Sequence, residues 1–168
     1  MASSPTRLYL YRGNDAAGCE PPGEIADPRT AGEILPVRID ADAAWTPGGA
    51  YPTYFGFAPS AYHGTWSWTG GPPTGALRYV SEVEGLSDIL VPYLSGPDTQ
   101  AQTLRVTDAA TGAEILNLAP LPASQGWRYR RVAVPPGTKF IAVEAIDNDP
   151  APTAWFAVAP PHALVRAP

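Results

Sequence analysis

The composition indicates one folded domain with more acidic than basic residues. The chain has 168 residues, one cysteine and a net charge of −5. A chain of this length can form a stable hydrophobic core without disulfides or a structural metal. The charge argues against nucleic acid as a partner, because phosphate recognition needs clustered lysine and arginine. The single cysteine excludes an internal disulfide and a cysteine-rich zinc site. No run reaches the ~18 apolar residues of a membrane helix, so we expect no membrane insertion by this segment.

The N-terminal part, residues 1–60, is predicted to consist mainly of long loops rich in proline and glycine. The segment "RLYLYR" at 7–12 alternates like a strand. From Cys19 to Tyr62 the pattern is only weakly periodic, and Pro36 interrupts the one short helix-like stretch. We therefore expect one or two edge strands between Cys19 and Tyr62.

Residues 61–161 are predicted to form a series of short strands separated by turn residues. The strand-like segments are "SDILVPYLSG", "QTLRVTD", "AEILNL", "WRYRRVAV", "KFIAVEAI" and "AWFAV". The first is apolar on both faces, as expected of a strand inside a sandwich, whereas "QTLRVTD" alternates. The pattern predicts an all-β fold, an antiparallel β-sandwich that makes residues 1–168 a single domain.

Catalytic motifs are absent from the sequence. No G-x-S-x-G elbow, P-loop or dinucleotide fingerprint occurs, and the two histidines stand in loop-like surroundings. We therefore predict that the chain is not an enzyme. One alternative stays open, because a pair of carboxylates can hydrolyse glycosides. The acidic residues available for such a pair are Glu82, Glu84, Glu144 and Asp147.

The segment from Tyr62 to Thr69 suggests a ligand platform. Strand alternation would place Trp66 and Trp68 on one face and the threonines and serine on the other. Two neighbouring indoles form an apolar plate on which a sugar ring can pack, while polar side chains at the rim bind its hydroxyls. Tyr62, His63 and Asp98 are candidates for that rim. The alternative is that these indoles belong to the core.

The loop "IDNDP" at 146–150 brings together three oxygen-bearing side chains, Asp147, Asn148 and Asp149. Calcium prefers such ligands, so Asp147 and Asp149 are candidate metal ligands. Three oxygens fall short of the usual six to eight. The alternative is an Asx-turn, in which the aspartates accept hydrogen bonds from nearby backbone amides.

Trp155 opens the last strand-like segment. Alternation sends Trp155 and Phe156 to opposite faces, so that one of the two rings belongs to the core. The other ring is either covered by a loop or exposed.

The order of several short motifs resembles one known family. These motifs are "YHGTWSWTGGPPTGALRY", "ILVPYLSGP", "LRVTDAATGAEI", "GWRYRRVAVPPG" and "FIAVEAIDNDPAPTAWFAVAPP". Over about residues 60 to 161 they are similar to the galactose-binding-like jelly-roll modules appended to membrane glycosyltransferases. The nearest comparison is the C-terminal carbohydrate-binding module of cell-wall arabinosyltransferases.

The resemblance implies a jelly roll outside the cytoplasm that binds sugar and holds a structural calcium ion. It would place Asp147 at the calcium-associated loop and Trp155 near the sugar site. We therefore expect a non-catalytic carbohydrate-binding module for an oligo- or polysaccharide, in an extracytoplasmic part of a larger envelope or polysaccharide-assembly protein. The alternatives are a structural or protein-interaction sandwich with buried aromatic residues and a small glycan-active enzyme.

Overall fold

The computed structural model describes residues 24–25, 31–48, 59–65, 74–124 and 126–164. The strand predicted at 7–12 and the two candidate platform residues Trp66 and Trp68 lie outside these ranges. The described part of the chain contains strands and no helix. Accordingly, no helix long and apolar enough to cross a membrane is found among these residues.

Thirteen strands occur in the described residues. They are β1 (Glu24–Ile25), β2 (Ala31–Glu33), β3 (Pro36–Ala41), β4 (Trp45–Pro47), β5 (His63–Thr65), β6 (Gly75–Glu82), β7 (Asp88–Ser95), β8 (Gln102–Asp108), β9 (Glu114–Leu118), β10 (Arg128–Ala133), β11 (Phe140–Asp147), β12 (Phe156–Val158) and β13 (His162–Leu164).

The strands form two antiparallel sheets that pack face to face. The five-stranded sheet has the order β3-β6-β11-β8-β9. The larger sheet has the order β1-β10-β7-β12-β5-β4, and β13 joins β7 to β2 beside it. From β5 onward most connections pass from one sheet to the other. The exceptions are the connections from β8 to β9 and from β12 to β13. This crossing pattern is that of a jelly roll, so the predicted all-β sandwich is confirmed.

The core lies between the sheets and follows the predicted alternation. In β8, Leu104 and Val106 are fully buried and flank the half-buried Arg105. The central strand β7 is buried on both of its faces, as its continuous apolar sequence predicts. Its inner residues join the main core cluster, whereas Leu90 and Leu94 belong to a second cluster on the outer face of the larger sheet.

The N-terminal part contains more strands than expected. Four strands, β1 to β4, lie between Glu24 and Pro47, where the sequence predicted one or two edge strands. Three of them have only two or three residues, too few to show a period of two. Their extended conformation is fixed by partners far along the chain, β10 for β1 and β13 for β2.

Candidate functional site

One end of the sandwich brings together several residues singled out from the sequence. In the larger sheet, β5 ends at Thr65 and β7 ends at Ser95, while β12 begins at Phe156, which is paired with Ser95. In the opposite sheet, β11 ends at Asp147, which is paired with Gln102 at the start of β8. We call this end, with the loops that leave it, the loop end.

A buried hydrogen-bond chain joins the two sheets at the loop end. The Phe156 amide donates to Thr65 Oγ1 at 3.0 Å, and the Thr65 hydroxyl donates to Asp147 Oδ2 at 2.5 Å. The Asp147 side chain is almost completely buried. Burial raises the pKa of Asp147, and the hydrogen bonds from Thr65 and the Asp149 amide act in the opposite direction. Thr65 thus connects a backbone amide of one sheet to a carboxylate of the other.

The loop after Asp147 has the hydrogen bonds of successive Asx-turns. The Asp149 amide donates to Asp147 Oδ1 at 3.2 Å, and the Ala151 amide donates to Asp149 Oδ1 at 2.9 Å. Each aspartate therefore accepts from the amide two residues further on, which is the arrangement expected of an Asx-turn. Within the described ranges, no group of three or more acidic, histidine or cysteine side chains is placed to hold a metal.

One feature of the loop end fits a hard cation. Gln102 is fully buried, and its side-chain oxygen Oε1 has no hydrogen-bond partner among the described residues. Its amide nitrogen donates to the Ala154 carbonyl. A buried oxygen without a hydrogen-bond partner is unfavourable. Gln102 is paired in register with Asp147, whose carboxylate is also buried. Carboxylate and amide oxygens are ligands that calcium accepts.

Trp155 is the candidate aromatic residue that remains partly exposed to solvent at the loop end. It is half-buried, while Phe156 is fully buried in the main core, so the predicted division of the two rings between faces is confirmed. Trp155 lies against the Gly96 backbone, whose amide donates to the Trp155 carbonyl at 2.8 Å. A Cβ atom on Gly96 would lie 3.0 Å from the indole Nε1 atom. The absence of a side chain at Gly96 therefore lets the indole approach the backbone.

Tyr62 belongs to an aromatic cluster rather than to an open rim. It packs edge-on against Trp127 with ring centroids 5.1 Å apart, and both rings are buried. These two residues and Tyr129 form a cluster on the outer face of the larger sheet, against which Trp155 packs. Burial raises the pKa of Tyr62. Little of the Tyr62 ring is therefore available to a ligand in this conformation.

His63 lies on the inner side of its strand. Its Nδ1 atom is 2.7 Å from the hydroxyl oxygen of Tyr79, a residue buried in the main core. Burial lowers the pKa of His63, which favours the neutral ring. The expectation that His63 stands in a loop is wrong, because His63 opens β5 and faces the other sheet. Its place on the rim of a sugar site stays a prediction.

The second histidine was also expected in a loop, and His162 instead opens β13. It is buried and packs edge-on against Tyr129, with ring centroids 5.8 Å apart. Neither ring nitrogen has a hydrogen-bond partner within the described ranges, and burial lowers the pKa of His162. It therefore serves as a neutral packing residue and not as part of the loop end.

Asp98 is exposed in the loop that follows β7. This loop also contains Gly96, which contacts Trp155, so Asp98 and Trp155 belong to the same end of the molecule. Tyr62 joins them through its packing in the outer cluster, whereas His63 does not. Trp66 and Trp68 follow Thr65 in the chain and lie outside the described residues.

Three of the four acidic residues considered for catalysis lie apart from one another. Glu82 is paired with Phe140 at one end of β11, and Asp147 is at the other end. Glu144 lies between the guanidinium groups of Arg78 and Arg105, at 3.2 Å and 2.5 Å, on the face of β11 opposite to Asp147. Glu82, Glu144 and Asp147 therefore do not form the facing carboxylates that glycoside hydrolysis requires.

Comparison with solved structures identifies the fold. The C-terminal extracellular domain of EmbC from Mycobacterium tuberculosis superposes with a TM-score of 0.53 and 20% sequence identity. The chain has the fold of that domain. The alignment covers 84% of this chain and 64% of the EmbC domain, so the chain spans less than two thirds of that domain's length. The predicted resemblance to the C-terminal modules of arabinosyltransferases is confirmed at the level of the fold.

Two further structures show weaker similarity. The carbohydrate-binding module TmCBM61, solved in complex with β-1,4-galactotriose, gives a TM-score of 0.47 at 16% identity over 78% of this chain and 89% of the module. Arabinosyltransferase EmbB from Mycobacterium smegmatis gives a TM-score of 0.41 at 17% identity over 96% of this chain and 20% of that protein. No protein-family model and no curated protein matches the sequence.

Proposed function

We propose that this chain is a non-catalytic carbohydrate-binding module in an extracytoplasmic part of a larger envelope or polysaccharide-assembly protein. Its ligand is an oligo- or polysaccharide that packs on indole surface at the loop end. Trp155 is the described member of this surface, and Asp98 supplies hydrogen bonds. Trp66 and Trp68, which follow Thr65 in the sequence, are further proposed members and lie outside the described residues.

The half-buried indole of Trp155 at the loop end carries this proposal. A partly exposed ring held rigidly against backbone offers an apolar face without the entropy cost of ordering a mobile side chain. The exposed Asp98 carboxylate in the adjoining loop can accept hydrogen bonds from sugar hydroxyls. The fold shared with an extracellular domain supports the extracytoplasmic location. One stacked ring with few polar contacts predicts dissociation constants in the roughly micromolar to millimolar range.

Calorimetric titration with a panel of oligosaccharides tests the proposal. Trp155→Ala is expected to weaken binding about tenfold, because ring stacking contributes about 0.5–1.5 kcal/mol in addition to the buried area. Phe140→Ala is the matched control, since Phe140 is also a partly exposed ring but lies at the other end of β11 from Asp147. Equal affinity of Trp155→Ala and wild type for every bound sugar would contradict the assigned site.

A structural or protein-interaction sandwich is the second candidate function. The burial of Tyr62 and Trp127 favours it, because these rings contribute to packing and not to display. Tryptophan emission distinguishes the two functions. Quenching by acrylamide and a change on adding oligosaccharide support display, whereas emission insensitive to both supports a purely structural role.

The proposed module includes one structural calcium ion at the loop end. Asp147 and the Gln102 side-chain oxygen would hold it, with Asp149 as a further carboxylate in the same loop. The ion would neutralise a carboxylate that burial otherwise penalises.

Removal of metal tests the calcium proposal. A chelator is expected to lower the melting temperature of the wild type and to leave Asp147→Asn unchanged, because the variant lacks the charge that holds the ion. Asp40→Asn, on the exposed strand β3, is the control and should respond to chelator as the wild type does. A melting temperature unaffected by chelator or added calcium would rule the ion out.

A further inference from the structure

Strand β3 is an open edge of the five-stranded sheet. Within the described residues it pairs with β6 alone. The Asp42 amide donates toward β6, to the Ala76 carbonyl at 2.9 Å. Because backbone groups alternate along a strand, the amides and carbonyls of Ile39 and Ala41 point away from β6. An unpaired edge of this kind is a template for a further strand.

The same edge exposes large apolar side chains. Leu35 is 76% exposed, Val37 61% and Ile39 46%. Phe140 is the one other large hydrophobic residue noted as exposed in the described ranges, and it lies on β11, away from this edge. Exposed apolar residues concentrated on one edge strand and the residue just before it indicate a contact surface.

The charges of β3 are arranged so that the strand complements itself. Arg38 and Asp40 flank Ile39, and their side chains form an exposed ion pair with Nε and Oδ1 2.9 Å apart. In an antiparallel pairing of two copies centred on Ile39, each Arg38 stands opposite the Asp40 of the other copy. The two Ile39 side chains then meet at the twofold axis, and opposite charges flank them on both sides.

We infer that β3 pairs with β3 of a second copy of this chain, antiparallel and centred on Ile39. The outward amide and carbonyl of Ile39 make the central hydrogen bonds, and the two five-stranded sheets join into one. The bulge between Pro36 and Arg38 restricts the regular stretch to Arg38–Ala41, so the dimer is weak and forms at high protein concentration. The inference does not rest on sugar binding, because Arg38, Ile39 and Asp40 are not among the residues proposed to bind sugar or calcium.

Sedimentation velocity of the whole chain over a wide concentration range tests this inference. The wild type is expected to shift from monomer to dimer as its concentration rises. Arg38→Asp and Asp40→Arg each replace two attractive pairs with two like-charge pairs, and each should raise the dissociation constant about tenfold or more. The double variant R38D/D40R restores opposite charges across the axis and should recover wild-type association.

The charge exchange separates dimer formation from an effect on folding. Thermal melts of all four proteins should agree closely, since exposed ion pairs contribute little to stability. Ile39→Lys places two ammonium groups at the axis and should give a monomer at all concentrations. A wild type that stays monomeric at the highest soluble concentration overturns the inference. A dimer that neither Ile39→Lys nor the single charge variants weaken overturns it as well.

Discussion

Gly96→Ala is expected to lower the free energy of unfolding by about 1–3 kcal/mol, the usual cost of forcing an extra methyl group into a packed site. The added Cβ would overlap the Thr153 carbonyl oxygen and press on the Trp155 indole. Backbone at Thr153 cannot rotate away as a flexible side chain can, so the loop before β12 has to shift. The shift should also change the exposure of Trp155. Urea unfolding and tryptophan emission measure the two effects.

Gly32→Ala is the matched control for this substitution. A Cβ on Gly32 meets nothing within 4 Å, and Gly32 lies in β2, where alanine limits the unfolded chain more than glycine does. Its stability should equal or slightly exceed that of the wild type. If Gly96→Ala were as stable as Gly32→Ala and left the emission of Trp155 unchanged, the close approach of the indole to the Gly96 backbone would be refuted.

The sequence predicted those strands in which alternation is long enough to show a local period. Strand β8 has seven residues, and its inward side chains, Leu104 and Val106, are the ones the pattern selects. The strands of the N-terminal part were underestimated because their register is set by distant partners. Two residues of β1 carry no period of their own, and they are extended because they pair with β10.

The candidate site was predicted less completely, for a related reason. The bond between Thr65 and Asp147 joins residues 82 positions apart, and no local pattern contains it. His63 could have been assigned better. The alternation that separates Thr65 from Trp66 puts His63 on the side of Thr65 when it is continued two residues back, and the structure places both toward the other sheet. The Asx-turn could be predicted from the sequence because its hydrogen bonds join residues only two positions apart.

Thr65→Val should have a still larger effect on stability. Valine preserves the shape of threonine but removes the hydroxyl that accepts from the Phe156 amide and donates to Asp147. Two buried polar groups would then each lose a partner, and one of them is a carboxylate. Since each unsatisfied buried group costs about 1–3 kcal/mol and a charged one more, we expect a loss of about 2–4 kcal/mol at neutral pH.

The loss of stability caused by Thr65→Val should depend on pH, because the buried carboxylate of Asp147 titrates. The pKa of Asp147 in the folded state is raised above its ordinary value of 3.8, mainly by burial. The stability that this group contributes is therefore fully present below pH 3.8 and is lost as the pH rises through the folded-state pKa. The Thr65 hydroxyl favours the ionised form, so its removal raises the pKa of Asp147 further. The deficit of the variant should consequently shrink in acid, where the carboxyl is protonated and needs the donor less.

Thr46→Val supplies the comparison in the neighbouring strand β4. Thr46 donates one longer hydrogen bond, of 3.3 Å, to the Gly64 carbonyl, and within the part of the chain that the structure describes it donates none to a carboxylate. Its loss should be small, about 0.5–1.5 kcal/mol, and independent of pH in the acid range. Urea unfolding of both variants between neutral pH and pH 3.8 distinguishes the cases. Equal losses of stability that do not change with pH would mean that Thr65 acts through packing alone. A larger loss for Thr65→Val that shrinks in acid would identify the Thr65 hydroxyl as the group that stabilises the Asp147 charge between the sheets.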